Sequence, residues 1–372
     1  MGMDRRTFLK AGVCACGATF LPAWVGRVPG AGAAPALSDR EASYYEVLAD
    51  GRIHCLLCPN GCVRAEGERS RCLVREPRGG KYRALAYGLP CVLAMDPVEK
   101  CPLFHFRLPG NAFSIATAGC NLGCQYCQNW QFSQKRPEET RNFTMTPAEV
   151  IKKAKEYKAS AISFFYTEPT IYFEYMVDIA RAARQAGLPT VMVTGGYINP
   201  APLAELTALV DAFVVGLKGF SEDYYRQTVD GSLAPVLATL KAIRKAGRHL
   251  EVVTLLVPTL NDRLPEIEAE AAWLMQNLGP DVPLHFTRFN PQFKLKGLPP
   301  TPIQVLEQAR AISRKAGLKF VYTGNVPAHE GNHTWCPGCG KVVIERLGFQ
   351  VLRNDLANGT CPHCKTAIPG RW

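Results

Sequence analysis

Short apolar runs alternate with helix-like segments from residue 112 to residue 322. The runs are rich in β-branched and aromatic residues; they are Ala112–Ala118, Ala161–Tyr166, Thr190–Thr194, Ala212–Leu217, Leu250–Val257, Leu284–Phe289 and Leu318–Tyr322. Strands that alternate with helices in this way predict a parallel sheet. Six or seven β/α units are too few for a closed eight-stranded barrel. They predict an α/β fold, a partial (β/α)6-type barrel with its site at the carboxyl ends of the strands.

Two of the predicted helices begin at recognisable caps. Thr146-Pro147-Ala148-Glu149 and Thr301-Pro302-Ile303-Gln304 both place a hydroxyl residue three positions before Glu or Gln, with proline between them. This is the capping-box pattern with proline at the first helical position. We therefore expect helices to start at residues 147 and 302.

Three cysteines, Cys120, Cys124 and Cys127, directly follow the first apolar run. Three closely spaced thiolates suit an iron–sulfur cluster that keeps one iron open, since a closed zinc site needs a fourth ligand. Gly119 and Gly123 give the backbone the freedom to turn the three sulfurs toward one centre. On spacing alone, a zinc ion with a fourth ligand from elsewhere remains the alternative.

The aromatic Tyr126 before the third cysteine completes a C-x3-C-x-aromatic-C pattern. This pattern resembles the signature of the radical S-adenosylmethionine (SAM) superfamily. The resemblance implies that Cys120, Cys124 and Cys127 are catalytic and bind a 4Fe-4S cluster, that Tyr126 lies beside the cofactor, and that the open iron chelates the amino and carboxylate groups of SAM. One electron from the cluster would then cleave the sulfonium and give a 5′-deoxyadenosyl radical.

Polar residues at later strand ends are the predicted SAM contacts. Glu168 follows the second run, where the superfamily has a Gly-Gly-Glu motif that contacts the SAM amino group; an acid near a helix N-terminus is the alternative. The Thr194-Gly195-Gly196 stretch suits a close approach by ribose or adenine, although a plain turn fits nearly as well. Lys218 could hold a carboxylate or be a solvated lysine. Activating enzymes of the same superfamily often have Asp-Leu-Lys at this position. In this chain Gly216 stands in place of the aspartate.

A second set of cysteines precedes the barrel, in the Cys-rich region 35–108. Cys55, Cys58, Cys62 and Cys72 lie in a stretch with few apolar residues, so a metal is a good candidate for its core. Structural zinc and a second cluster are comparable predictions, and disulfides formed after export rank third.

A third set defines the tail, residues 332–372. Cys336, Cys339, Cys361 and Cys364 form two C-x2-C knuckles that flank hairpin-like apolar residues. This arrangement predicts a zinc-ribbon-like module that holds its ion independently of the barrel. Two disulfides are the weaker alternative, since each knuckle aims both thiolates at one point.

Residues 1–34 resemble a twin-arginine export signal. Arg5 and Arg6 are followed by an apolar run, Ala11–Val25, and by a small-residue stretch with Ala31-Gly32-Ala33 as a cleavage box. The run is too short and too rich in glycine to be a good transmembrane span. We expect export to a periplasmic or extracytoplasmic location with no integral span after cleavage, and a cytoplasmic protein if the signal is not used.

Composition narrows the function classes. The 372 residues are 47% hydrophobic, which excludes a disordered chain. The net charge of +11 comes from scattered Lys and Arg residues, many on helical segments, and no nucleic-acid-binding motif is present. Eleven of the fifteen cysteines fall in the three sets, which favours metals over disulfides. No nucleic-acid partner is expected.

Six motifs together resemble the AmmeMemoRadiSam system radical SAM enzymes, relatives of the pyruvate formate-lyase activating enzymes. The motifs are Cys55-Leu-Leu-Cys58-Pro, Asp96-Pro-Val-Glu99-Lys100, the three-cysteine loop, Tyr-Thr-Glu-Pro-Thr from Tyr166, Gly324-Asn-Val-Pro327 and the paired knuckles of the tail. The resemblance implies a barrel over residues 109–331, a low-potential electron donor, and association with the other two proteins of that system.

The function predicted is reductive SAM cleavage followed by hydrogen abstraction from an unidentified substrate or partner protein. Activation of a glycyl-radical enzyme is predicted only from the wider relationship to the pyruvate formate-lyase activating enzymes. A non-catalytic scaffold with several zinc ions, or a nucleic-acid-binding protein, is the alternative from another class.

Overall fold

The structure is a computed structural model, and it describes residues 36–372. The predicted export segment 1–34 lies outside these residues. None of the helices in the described part of the chain is long and apolar enough to cross a membrane.

Two small antiparallel sheets make up the first part of the Cys-rich region. One contains β1 (Tyr45–Val47), β2 (Ile53–Cys55) and β3 (Val63–Arg64), and the other pairs β4 (Arg75–Arg78) with β5 (Lys81–Ala84). Both sheets are too short to be stable alone, so they depend on the body they pack against.

An eight-stranded sheet forms the centre of the molecule. Its strands are β6 (Pro90–Pro97), β7 (Asn111–Thr117), β8 (Ala161–Phe164), β9 (Thr190–Thr194), β10 (Ala212–Gly216), β11 (His249–Leu256), β12 (Leu284–Arg288) and β13 (Val321–Gly324). The strands lie in the sheet in chain order, with β7 to β13 parallel and β6 antiparallel to β7. The partial α/β barrel predicted from the apolar runs is confirmed, with β6 as an added edge strand.

Six helices connect the parallel strands. They are α1 (Pro147–Glu156), α2 (Phe173–Gln185), α3 (Pro200–Leu209), α4 (Leu233–Lys245), α5 (Leu264–Leu278) and α6 (Ile303–Lys315). The Thr146 capping box is formed, because the Thr146 hydroxyl accepts from the Glu149 amide and the Glu149 carboxylate accepts from the Thr146 amide. The cap predicted at Thr301 is wrong. α6 begins at Ile303 without a side-chain cap, and the Thr301 hydroxyl bonds to the ends of β11 and β12 instead.

The connection between β6 and β7 folds back into the barrel, and we call residues 98–108 the plug. Its apolar side chains pack against inward-facing residues near the starts of the parallel strands; this cluster contains Val98, Cys101, Leu103, Phe106, Ala112, Ala161, Val191, Ala212 and Val214. The small alanines at the strand starts leave room for the larger plug side chains. The plug therefore closes the amino-terminal end of the barrel and leaves the carboxyl end open.

A fully buried carboxylate holds the plug. Glu251 of β11 accepts hydrogen bonds from the backbone amides of Phe104 and His105 at 2.9–3.0 Å. Its oxygens also lie 3.0 Å from His249 Nε2 and 2.7 Å from His285 Nε2. Burial opposes ionisation, but the hydrogen bonds with His249 and His285 hold the pKa of Glu251 well below its ordinary value.

The tail forms a small antiparallel sheet of β14 (Thr334–Trp335), β15 (Val342–Leu347) and β16 (Gln350–Asn354). It shares a core with the plug and the last barrel strand; the buried members are Phe104, Phe320, Tyr322, Cys336, Val343, Ile344, Cys361 and Ile368. The Arg346 guanidinium of β15 donates to Phe104 O at 2.9 Å and lies over the Phe104 ring. The tail therefore packs against the barrel, and its ability to hold an ion independently of the barrel stays a prediction.

A buried ion pair joins the Cys-rich region to the barrel. Arg75 of β4 donates through Nη2 to both oxygens of Glu174 on α2, at 2.9 and 2.7 Å. Arg75 also donates to Ser43 O, and the Ser43 amide donates to Glu174. Burial disfavours the charged guanidinium, yet Glu174 raises the pKa of Arg75. The pair is fully enclosed and satisfied on both sides.

We expect Arg75→Met to destabilise the protein by about 3 to 5 kcal/mol, because it leaves the Glu174 carboxylate buried without its counter-charge. Urea-induced unfolding of the two proteins measures the difference. Lys81→Met is the matched control, since the Lys81–Glu41 pair is exposed and such pairs contribute about 0 to 1 kcal/mol. Equal midpoints for the Arg75 and Lys81 variants would contradict this account.

Candidate functional site

The three-cysteine loop lies at the carboxyl end of β7, where the fold places the site. Gly119 has φ of +93°, and a side chain there would overlap the backbone oxygen of Cys72. Gly123 has an ordinary backbone, but a Cβ would lie 2.8 Å from the Asp230 carboxylate. Gly119 is needed for its positive φ, and a side chain at either glycine would be crowded by its neighbours.

Neighbouring backbone holds the loop in place. The amides of Gly123 and Gln125 donate to Val229 O and Thr228 O, in the short π-helical segment Tyr225–Val229 after β10, at 2.9 and 3.0 Å. The Asn121 side chain is fully buried and donates to Tyr197 O at 2.7 Å. These contacts hold the backbone of the loop, and with it the directions of the three cysteine side chains.

Polar hydrogens approach two of the loop sulfurs. The Leu122 amide donates to Cys120 Sγ at 3.4 Å, and the Ser133 hydroxyl lies 3.1 Å from Cys127 Sγ. All three cysteines are half-buried and line one cavity of about 290 Å³. Three sulfurs that face a cavity, with amide and hydroxyl donors beside them, fit a four-iron cluster with one iron turned to the cavity.

The spacing of the sulfurs also favours a cluster. A single zinc ion with bonds of about 2.3 Å would bring its sulfur ligands within about 4.6 Å of one another. Among residues 36–372, the tail cysteines are the one group of three or more ligands placed to hold a single metal ion, with all four sulfurs within 4.8 Å of one another. The loop cysteines do not form such a closed group.

Burial makes two of the loop thiols, those of Cys120 and Cys124, weak acids before any metal binds. Burial raises the pKa of Cys120 well above its ordinary value and that of Cys124 to about 11. Because metal ligands must be thiolates, cluster binding has to displace these protons.

Glu168 follows β8 and lines the same cavity. Its Oε1 accepts from the Thr170 amide and hydroxyl and from the Thr194 hydroxyl, and its Oε2 accepts from the Gly195 amide at 2.7 Å. A carboxylate has about four acceptor positions, so the remaining capacity of Glu168 lies on Oε2. The predicted helix-terminus contact and a place in the cavity are both present.

Gly216 is the last residue of β10, and Lys218 follows it. A Cβ at Gly216 would lie 2.6 Å from Lys218 Nζ, so the ammonium occupies the space that an aspartate would fill. Within the described chain, we find no carboxylate or hydrogen-bond partner for this ammonium, which lines the cavity. A Cβ at Gly195 would lie 3.4 Å from Glu168 Oε2 and 3.8 Å from Lys218 Cε. Opposite charges thus flank one glycine.

The other predicted contacts divide into two groups. Gly195 lines the cavity, and Thr194 lines it while also orienting Glu168. Gly196 lies behind them with φ of +70°, and a side chain there would meet Val215 at 2.9 Å. Tyr126 is buried at the cavity wall, with its ring stacked on Tyr224 at 6.3 Å. The sequence prediction did not separate lining residues from supporting ones.

Several cavity residues had no role in the sequence prediction. The plug and the tail hairpin supply the additional lining residues Glu99, Lys100, Phe104 and Phe349, and Tyr166 joins them from the end of β8. Lys100 Nζ donates to Asp96 at 2.7 Å and to the Tyr166 hydroxyl at 2.9 Å, and that hydroxyl donates to Asp96 at 2.8 Å. The Asp96-to-Lys100 motif carried this signal, but its approach to Tyr166 depends on the folding of the plug.

Glu99 and Arg346 meet at the closed end of the cavity. Glu99 Oε1 lies 4.0 Å from Arg346 Nε, and neither atom has a hydrogen-bond partner in the described structure. Burial raises the pKa of Glu99 to about 7. The floor of the cavity is therefore polar, although its walls are largely apolar.

The tail cysteines form a compact metal-binding group. Cys336, Cys339, Cys361 and Cys364 offer four sulfurs within 4.8 Å, two buried and two exposed. This spacing suits a single tetrahedral ion. The site can bind a metal, and zinc remains a prediction for its identity.

Comparison with known proteins agrees with the site. The profile of the Radical SAM superfamily matches residues 114–270. An uncharacterized protein of Methanocaldococcus jannaschii is 44% identical over 331 residues, which cover 88% of this chain and 98% of that protein. The pyruvate formate-lyase-activating enzyme of Streptococcus mutans is 25% identical over 169 residues, 42% of this chain and 62% of that enzyme.

A second M. jannaschii protein, named as a glycyl-radical enzyme activating enzyme, is 30% identical over 152 residues, 39% of this chain and 60% of that protein. The chain thus spans about three fifths of the activating enzymes that it matches. Among solved structures, a domain of pyruvate formate-lyase-activating enzyme from Bacteroides vulgatus has a TM-score of 0.41 at 16% identity, covering 45% of this chain and 100% of that domain.

Proposed function

Since this chain belongs to the radical SAM superfamily and is a radical SAM enzyme, we propose that it cleaves SAM reductively at a 4Fe-4S cluster held by Cys120, Cys124 and Cys127. The observation that carries the proposal is the cavity in which the three cysteines meet Glu168 and Lys218, at the carboxyl ends of β7, β8 and β10. When bound, the cluster would supply the electron that breaks the sulfonium bond of SAM. The protein supplies binding and orientation.

The charges around Gly195 suit the methionyl end of SAM, which carries an ammonium and a carboxylate. Glu168 Oε2 has acceptor capacity for the ammonium. The Lys218 ammonium has no ion-pair or hydrogen-bond partner within the described chain, and Lys218 lines the cavity. The Thr170 and Thr194 hydroxyls hold the Glu168 carboxylate in one orientation. Fixed groups of this kind orient a bound reactant before reaction, which lowers the entropic part of the barrier.

The substrate would occupy the part of the cavity between the cluster and the plug. Apolar walls there exclude water from a reactive carbon radical, while Glu99, Lys100 and Tyr166 offer polar contacts. We propose hydrogen abstraction from a substrate or a partner protein. Activation of a glycyl-radical enzyme is the second candidate, favoured by the relatives that are named as activating enzymes.

The remaining assignments are proposals from the same resemblance. A low-potential electron donor and the other two proteins of the AmmeMemoRadiSam system are the proposed partners. A scaffold that only binds zinc would not need the charged cavity beside the three-cysteine loop. Export by the twin-arginine route is proposed from residues 1–34, and N-terminal sequencing of the mature protein tests it.

We expect the anaerobically reconstituted, reduced protein to form 5′-deoxyadenosine and methionine from SAM. Because iron–sulfur potentials span about −700 to +450 mV, a strong reductant such as dithionite has to be supplied. Chromatography of the quenched reaction measures both products, and Cys124→Ala is the control. No deoxyadenosine above that control from a fully loaded, reduced cluster would refute the proposal.

Gly216→Ala should weaken SAM binding by about tenfold, since the added Cβ displaces the Lys218 ammonium and part of a charged hydrogen bond worth about 1.5 to 3 kcal/mol is lost. The lysine end is flexible, so the fold and the cluster should be retained. Isothermal titration with SAM measures the affinity. Gly297→Ala is the matched control, because nothing lies within 4 Å of a Cβ there. Equal affinities for the two variants would remove Lys218 from the binding site.

A further inference from the structure

The cysteines of the Cys-rich region gather beside the three-cysteine loop. The Cys55 amide donates to Cys62 O at 2.9 Å across β2 and β3, and the Gly61 amide donates to Cys58 O in the turn between them. Cys58 lies near Cys55 and Cys62, and Cys72 lies near Cys55 and Cys58. We call Cys55, Cys58, Cys62 and Cys72 the cysteine quartet.

The quartet has an inner and an outer side. Cys55, Cys58 and Cys72 are each less than a tenth exposed, whereas Cys62 is half-buried and reaches the surface. Each of the four is a free thiol in the structure, with no disulfide between them. The region around them has only short strands and turns, so a bound metal group would give it a core.

The quartet, like the three-cysteine loop, differs from the tail in how its sulfurs are grouped. In the described chain, the tail cysteines alone form a group of three or more ligands placed to hold one metal ion, with all four sulfurs within 4.8 Å of one another. A single tetrahedral ion needs sulfur ligands within about 4.6 Å. The quartet therefore suits a larger inorganic group, as the loop cysteines do.

Direct contacts join the quartet to the loop. The Asn60 side chain, between Cys58 and Cys62, donates to Asn121 O at 2.7 Å. The Cys72 backbone oxygen packs against Gly119, the residue before Cys120. The inner cysteines thus border the loop on two sides, through Asn121 and Gly119.

We propose that the cysteine quartet binds a second four-iron cluster, which passes electrons to the cluster on the three-cysteine loop. A low-potential one-electron donor, of the flavodoxin or ferredoxin class, would reduce the second cluster from the Cys62 side. The second cluster gains one electron and loses it again to the loop cluster, and each SAM cleaved consumes one electron. No bond at the quartet forms or breaks in this transfer. The relay rests on the proposed function, but the presence of the cluster does not.

Iron content and electron paramagnetic resonance test the proposal on the reconstituted full-length protein. We expect about eight irons per chain, as two four-iron clusters, and a reduced spectrum broadened by magnetic coupling between them. Cys58→Ala and Cys62→Ala should each lower the iron content to about four and remove the broadening. Cys91→Ala is the matched control, since Cys91 is a buried thiol of β6 outside the three sets.

If the variants fail to fold, the iron and zinc contents of the wild-type protein test the proposal by themselves. About four irons per chain, with zinc bound at the quartet as well as in the tail, would overturn the second cluster. A chain with four irons that still makes deoxyadenosine refutes only this inference. A chain with eight irons that makes none refutes the proposed function and leaves the second cluster in place.

If the quartet is the entry point for electrons, Cys62→Ala should retain SAM cleavage with dithionite but lose it with reduced flavodoxin. Equal losses with both reductants, in a variant that keeps the loop cluster spectrum, would show that the quartet supports the loop rather than conducting electrons.

Discussion

The closed end of the barrel depends on one ionised carboxylate in a fully buried place. Glu251 lies on β11, and its oxygens bind two plug amides and two imidazoles. A buried charge is tolerated only when it is paired or fully hydrogen-bonded, so the plug has to lie where its amides can reach Glu251. Seven parallel strands do not close a barrel by themselves, and the plug fills the interior that the missing strand leaves open. The cavity is the part of the barrel interior that the plug leaves unfilled.

Local patterns in the sequence predicted the parallel strands and failed where tertiary contacts decide. Strands β7 to β13 are rich in apolar residues and mostly buried on both faces, which is typical of parallel sheets. β6 begins and ends with proline, which fits an edge strand, but it precedes the alternating strands and helices and was not among the predicted runs. Thr301 fits a capping box by spacing, yet its hydroxyl joins the ends of β11 and β12. Residues close in sequence do not show which of these two arrangements the Thr301 hydroxyl adopts.

The candidate site divides in the same way. The three cysteines, Glu168 and Lys218 each directly follow a strand, so the order of strands places them together without further information. The opposite wall comes from the plug and the tail hairpin, through Glu99 and Phe349. No periodicity or spacing joins residues so far apart in the chain. The part of the site that suits SAM was predictable, and the part that would meet the substrate was not.

The tail contributes more to the cavity than a separate metal module would. Arg346 of β15 is fully buried, and three of its hydrogen bonds go to Asn332, Thr334 and Phe104. Its Nε faces Glu99, and opposite charges enclosed together favour each other more strongly than exposed ones. Binding of a metal by four cysteines is coupled to the folding of the segment that carries them. Since β15 lies between the two knuckles and carries Arg346, a metal bound by the tail would help to hold the counter-charge of Glu99, and with it the polarity of the cavity floor.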